Sequence, residues 1–152
     1  MRRKEKLFQE LAEINDVMSR GEVIRVAMVD GDAPYMVPMS YGHKDGVIYL
    51  HCAHEGRKVD ILKQNQKVWF EVTVDGGLIK KEQSCGWSYS FKCVMGMGKA
   101  VFVEDKAEKL EALNAIMEHY GRVDNSFPDK AVDATEVIRI DIEEMTGKKS
   151  PA

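Results

Sequence analysis

The sequence predicts a mainly β protein, a small antiparallel barrel of six strands with three helices before or between them. Six runs are β-branched or alternate apolar with polar residues. Two Asp-Gly dipeptides, Asp30-Gly31 and Asp45-Gly46, stand between such runs as hairpin turns. Consecutive strands are joined by hairpins too short for the crossovers of a doubly wound sheet. Closing a sheet into a barrel also removes edges that would otherwise aggregate.

Taken in order, Leu7, Phe8, Leu11, Ile14, Val17 and Met18 recur at helical spacing, which predicts an amphipathic helix from about Arg3 to Arg20, stopped by Gly21. Glu22 to Val29 reads as a strand, and the turn at Asp30-Gly31-Asp32 returns the chain along Pro34 to Tyr41. The second Asp-Gly leads into Val47 to Cys52, so these three strands are expected to form a meander. A helix follows around Arg57 to Gln64. Lys67 to Asp75 alternates, with Val68, Phe70, Val72 and Val74 on one face and Trp69, Glu71 and Thr73 on the other. Gly76 to Gly86 reads as a long loop, and Tyr89 to Glu104 as a long strand bent at Gly96 or Gly98. Lys106 to Tyr120 is a third helix, and Glu136 to Ile142 the last strand, before a polar tail, TGKKSPA, expected to fray.

The chain has 152 residues, the length of a single domain. With 31% charged and 44% hydrophobic residues it is globular, and a net charge of -3 argues against general nucleic-acid affinity, so any basic site must be local. Three cysteines, Cys52, Cys85 and Cys93, form no disulfide framework and no CxxC pair, which points to a reducing, cytoplasmic setting. The cationic opening MRRKEKLFQEL lacks a continuous apolar stretch, and no later segment has the length of a membrane span.

The most informative segment runs from Ile48 to Lys58, where an apolar strand leads through Gly56 into a helix that starts with Arg57 and Lys58. The first amides of a helix lack internal partners and carry partial positive charge, and two full cations beside them suit a phosphate dianion. A solvated first turn of a surface helix is the competing reading. Pro38, inside a strand-like run, removes a ladder donor, so the sheet must be open or bulged there. This marks an ordinary edge strand, or it leaves backbone groups near Val37 and Met39 free for a ligand. His51, Cys52 and His54 invite a metal reading, but strand alternation sends His51 and Cys52 to opposite faces and no second cluster completes four ligands, so no metal is expected. Trp87 is either a core residue or a cover for a bound ring. The chain has no G-x-S-x-G elbow, dinucleotide fingerprint or Walker loop.

Several segments read together resemble the FMN-binding split-barrel proteins related to pyridoxamine 5'-phosphate oxidase, within them the nitroimidazole-resistance (Nim) branch. They are MRRKEK at the start, PYMVPMSYG at Pro34 to Gly42, IYLHCAHEGRK ending at Lys58, CGW at Cys85 to Trp87, FKCVMGMGKA from Phe91, and IEEMTGK at Ile142 to Lys148. The resemblance spans nearly the whole chain and implies a six-stranded antiparallel split β-barrel over 22–142, preceded by the helix at 3–20 and followed by a polar tail at 146–152. It further implies a homodimer with FMN at the interface. Arg57 and Lys58 match the family's phosphate-binding cations. Met36, Val37, Pro38 and Met39 match the strand whose backbone runs along the flavin, and His51 and Cys52 match the strand end beside it. His51 is there the candidate to bond substrate or flavin or to donate a proton, and a packing or solvent-exposed histidine is the competing reading.

Cys93 falls where many relatives have a serine, on the strand offered across the dimer, and departs from that pattern. The substrate-binding arginine and histidine motif of the oxidase proper has no counterpart in IRIDIEEMTGKKSPA, which argues against pyridoxal phosphate synthesis. The resemblance therefore leads to an FMN-dependent reductase of small molecules such as 5-nitroimidazoles, with NAD(P)H as a transient electron donor and FAD as the other candidate flavin. The alternative is a protein of the same fold that binds flavin or haem without turnover.

Overall fold

In the computed structural model, which describes residues 4–151, two turns set the backbone. Gly31, with φ +67°, takes the first central position between β2 (Ile24–Asp30) and β3 (Ala33–Met39), as a type II′ turn requires. Asp45 and Gly46, with φ 51° and 78°, form the paired positive-φ positions of a type I′ turn between β4 (Gly42–Lys44) and β5 (Val47–Cys52).

The remaining strands are β1 (Leu7–Phe8), β6 (Lys67–Ile79), β7 (Ser88–Phe102) and β8 (Glu136–Ser150). The hydrogen-bonded order is β3-β2-β6-β7-β8-β5-β4, with β1 added to β8, and every pairing is antiparallel. The two ends of this path, β3 and β4, follow each other in the chain, separated by Ser40 and Tyr41 alone. A sheet whose opposite ends are tied by two residues must curl back on itself, and the result is a split barrel. The sheet does not close: β3 and β4 are not paired. The expected removal of edges is therefore replaced by a blunted edge, since β3 carries two prolines, Pro34 and Pro38.

The meander expectation is corrected too. β2 and β3 form one hairpin and β4 and β5 another, and β5 pairs next with β8 rather than with β3. The first helix, α1, spans Leu11–Arg20; Leu7 and Phe8, expected on it, form β1 against Lys148 and Gly147. The buried Phe8 ring takes the space a side chain at position 147 would need, which holds this segment extended. The expected helix residue Arg3 lies outside the described residues. The long loop is shorter than expected, because β6 continues past a register shift at Gly76 to Ile79. The tail does not fray: β8 runs to Ser150, paired with β7 as far as Phe91. The bend expected at Gly96 or Gly98 is a register shift between Met97 and Gly98.

Helices α2 (Arg57–Gln64) and α3 (Lys106–His119) match their expected positions within a residue, and a short α4 (Asp129–Asp133) was not foreseen. The barrel core joins Val26, Leu50, Phe70, Val94 and Ile140 with Val17 and Met18 of α1 and Ile61 and Leu62 of α2. A second cluster on the outer side of β5 and β8 joins Tyr49 and Val137 to Leu113, Ile116 and Val132 of α3 and α4. Because β5 buries both faces it reads as a continuous apolar run.

The seam between β3 and β4 is pinned by Tyr41, which is fully buried. Its hydroxyl donates to Met18 O at 2.6 Å, and its backbone N–H donates to the Tyr120 hydroxyl at 3.2 Å. Tyr120 in turn donates to Glu22 O at 2.7 Å, and His119 Nε2 bonds Gly21 O at 2.7 Å with its ring 4.3 Å from that of Tyr41.

Candidate functional site

The end of β5, the start of α2 and the β2–β3 hairpin meet at one end of the barrel. Gly56 caps α2 with φ 131°, a conformation L side chains rarely adopt, and nothing lies within 4 Å of where a Cβ would stand. Val59 and Asp60 donate to Gly56 O at 2.9 and 3.1 Å, while the amides of Arg57 and Lys58 have no partner within the helix. Among the described residues no side chain caps this terminus. The helix start is thus open, and two cations stand on its first two residues.

The two cations differ in setting. Arg57 donates through Nε and Nη2 to Asp30 Oδ2, at 3.0 and 2.9 Å, and its guanidinium lies 4.5 Å from the Tyr35 ring centroid. Lys58 is half-buried, and its charge acts on both His51 and Cys52. The loop that delivers α2 is anchored by His54, whose Nδ1 meets Glu136 Oε2 at 3.0 Å and whose Nε2 meets Asp133 O at 2.8 Å. Both partners are acceptors, so a charged imidazolium satisfies both. The Glu136 bond first, and the Asp133 carbonyl second, raise the His54 pKa accordingly. With both nitrogens committed, His54 is a structural tie rather than a metal ligand.

His51 and Cys52 do point to opposite faces. Cys52 packs against the barrel core, and burial pushes its thiol pKa up. His51 opens on a cavity of about 210 Å³ walled by Leu113, Ile116, Met117, Phe127 and Val132. Burial first, and the Lys58 charge second, hold its pKa below the ordinary value, so at neutral pH it is an uncharged imidazole able to donate and accept. No protein hydrogen bond to it is formed among the described residues. The cavity lies below the ~300–1,000 Å³ of drug-sized ligand sites and suits a single small ring.

On β3, Val37 and Met39 pack toward the core, whereas Met36 and Pro38 face outward. Asp30 and Ala33 flank the two-residue turn as a hydrogen-bonded pair, which places Tyr35, Val37 and Met39 in register to bond β2. Pro34, Met36 and Pro38 alternate with them, so their backbone groups point to the open edge. The free backbone groups on this strand are therefore the Met36 N–H and the carbonyls of Pro34, Met36 and Pro38, not those of Val37 and Met39.

Trp87 and Cys93 lie apart from the cations in the chain. Trp87 is half exposed, its Nε1 donating to Lys81 O at 2.8 Å. Cys93 is buried on the outward face of β7, in register with Thr73 and Lys148, and burial raises its pKa. Trp69, on the face of β6 opposite Val68 and Phe70, is 53% exposed. Asp30 and Tyr35, which hold Arg57, were not candidates; the turn and the strand hid them, since only a fold brings residue 57 to residue 30.

Larger grooves exist, one of about 390 Å³ between Arg20, Glu22 and Asp75 and one of about 600 Å³ between Leu11, His43 and Met145. Neither contains Arg57 or Lys58. No helix among the described residues is long and apolar enough to cross a membrane. No group of three or more His, Cys, Asp or Glu among the described residues is arranged to hold a metal ion.

The chain and its fold have matches among known proteins. A family model for pyridoxamine 5'-phosphate oxidase matches residues 10–149. The crystal structure of a candidate 5-nitroimidazole antibiotic resistance protein from Bacteroides thetaiotaomicron superposes with a TM-score of 0.85 and 31% identity, covering 94% of this chain and 86% of that one. A flavocytochrome from Azotobacter vinelandii gives 0.85 at 20% identity, covering 100% and 72% of the two chains, and a FAD- and haem-binding protein from Mycobacterium smegmatis 0.85 at 17%, covering 97% and 74%. These last two share the fold. An uncharacterized Rhizobium meliloti protein is 32% identical over 60 residues, 40% of this chain and 39% of that relative's length.

Proposed function

We propose, for a chain that belongs to the pyridoxamine 5'-phosphate oxidase family, that it holds FMN and uses it to reduce small nitroaromatic compounds of the 5-nitroimidazole class. The observation that carries this reading is the open start of α2, where two adjacent cations and two unpartnered amides present a seat for a phosphate. The residues fit a flavin monophosphate. Gly56 leaves clear space at the helix start, and the open edge of β3 offers one N–H and three carbonyls to the polar rim of a ring. The bound flavin would supply hydride and electron transfer, with NAD(P)H as its transient reductant.

The chain's own residues bind, orient and exclude water. Arg57 and Lys58 neutralise the phosphate away from the reacting end. His51, uncharged at neutral pH, offers one donor and one acceptor to a small ring lodged in the apolar cavity between β5, α3 and α4. A second copy of the chain has a natural seat on the outward face of the sheet, where Met36 is 61% exposed and Trp69 stands beside it across β2. On the dimer implied by the resemblance, Cys93 lies on the strand offered to the partner and Trp87 in the loop before that strand.

The test is spectroscopic and then chemical. The purified protein should be yellow, retain flavin absorbance through dialysis, and release FMN on denaturation. Under anaerobic conditions with NAD(P)H it should convert a nitroimidazole to the amine. A Soret band in place of flavin absorbance would move the reading to haem binding. Colourless protein that ignores added FMN, or reduced flavin that persists across a nitroaromatic panel, refutes the binding or the reductase claim respectively.

A further inference from the structure

Arg57 does not stand free at the start of α2. Asp30, the last residue of β2, takes two of its five N–H groups, one on Nε and one on Nη2, with a single carboxylate oxygen. Tyr35, on the returning strand of the same hairpin, places its ring 4.5 Å from the guanidinium carbon. One contact fixes the edge of the guanidinium and the other its face. The end-on edge, made by one Nη1–H and the second Nη2–H, keeps the fork geometry that matches two phosphate oxygens.

We propose that Asp30 and Tyr35 are positioning residues for anion recognition, holding the Arg57 fork so that its unused edge, Lys58 and the first amides of α2 converge on one phosphate group. The identity of the anion as a flavin phosphate rests on the reading given above; its chemistry as a phosphate rests on the helix start. The Arg57 side chain is 60% exposed and the Asp30 side chain 40%. An ion pair this exposed contributes little to folding, so stability alone is a weak reason for three groups from three elements to meet here. A long exposed arginine that must be ordered on binding weakens affinity, and ordering it beforehand restores that loss. Arginine on an aromatic face also keeps its in-plane donors available while its position is restricted.

The experiment compares wild type with Asp30→Ala and Tyr35→Leu, measuring dissociation constants for FMN and for riboflavin by flavin fluorescence. Each substitution should weaken FMN binding about five- to tenfold and leave riboflavin within about twofold, because only FMN carries the phosphate. Asp30→Glu should recover part of the loss, and in an Arg57→Ala background Asp30→Ala should add nothing. Tighter FMN binding in Asp30→Ala would make Asp30 a competitor of the phosphate, and an unchanged value or an equal loss for both flavins would make the contact structural; any of these overturns the proposal. Should wild type bind neither flavin, the FMN reading falls, and the proposal is judged by titrating inorganic phosphate against the ¹⁵N shifts of the Arg57 and Lys58 amides. A weaker response in Asp30→Ala than in wild type supports it there, and an equal response, or none in wild type, overturns it.

Discussion

Replacing Arg57 and Lys58 together by alanine removes both side-chain cations from the α2 start and leaves its amides in place. A hydrogen bond to a charged group contributes ~1.5–3 kcal/mol. The lower end applies, because the Arg57 side chain is 60% exposed and solvent screens its charge. Counted once per cation, with the Arg57 fork taken as a single charge, this amounts to ~3 kcal/mol, or about 150-fold in the FMN dissociation constant at 1.4 kcal/mol per decade. Riboflavin has the same ring and ribityl chain without the phosphate, so its affinity should stay within about twofold. Loss of the Arg57–Asp30 pair should change folding stability by no more than about 1 kcal/mol, so the variant remains folded. Fluorescence titration with both flavins at matched ionic strength, with a thermal melt as the folding control, reads the outcome. Equal losses for the two flavins, or an FMN loss below about fivefold, would refute the reasoning, since a screened phosphate seat of this composition cannot act through the ring.

Gly42→Ala should destabilise the fold by about 3 kcal/mol, lowering the melting midpoint by roughly 6–12 °C, because the new Cβ would stand 2.6 to 2.7 Å from backbone atoms of Ala115 and Ile116. A change below about 1 kcal/mol would contradict the close approach of β4 to α3. Tyr41→Phe removes the donor to Met18 O and should cost about 1–3 kcal/mol in a urea titration, with no loss meaning that water replaces the hydroxyl. Burial holds the pKa values of His43 and His51 below the ordinary histidine value, so both are neutral in the fold while the unfolded chain takes up protons near pH ~6.5. Stability from these two groups is full above that pH and falls as pH drops through their folded values, with a limiting slope of about 1.4 kcal/mol per pH unit for each. His54 runs the other way: its pKa is raised by Glu136, so its contribution is full below pH ~6.5 and is lost as pH rises through the folded value. Histidine NMR titration should show His43 and His51 below, and His54 above, the free value; three coincident curves near it would refute these environments.

The parts of the fold that were legible were those encoded over a few residues. Asp30-Gly31 and Asp45-Gly46 state their turns, Lys67 to Asp75 states its alternation, and Gly56-Arg57-Lys58 states a helix start that carries two cations. What was misread depends on a distant partner. Leu7 and Phe8 have helical spacing with α1, yet the Phe8 ring lies over Gly147, a contact that periodicity cannot register. The tail through Ser150 is polar and lacks a strand pattern; its order comes from the ladder offered by the fifteen-residue β7, a backbone effect nearly independent of side chains. Pro38 marks an opening near Val37 and Met39 without saying which backbone groups it frees. Register against β2 turns those two inward to the ladder and leaves Met36 at the edge.

The sequence by itself determined that this chain is a mainly β protein with a local cationic seat at a helix start, because turn chemistry, alternation and adjacent charges act between neighbours. Tertiary structure alone decided what surrounds those two cations. The curl of the sheet sets Asp30 and Tyr35 around Arg57, turns His51 away from Cys52 onto an apolar cavity, and leaves the barrel split between β3 and β4. Each of these is a contact between residues far apart in the chain, and only the packing of the whole barrel makes them neighbours.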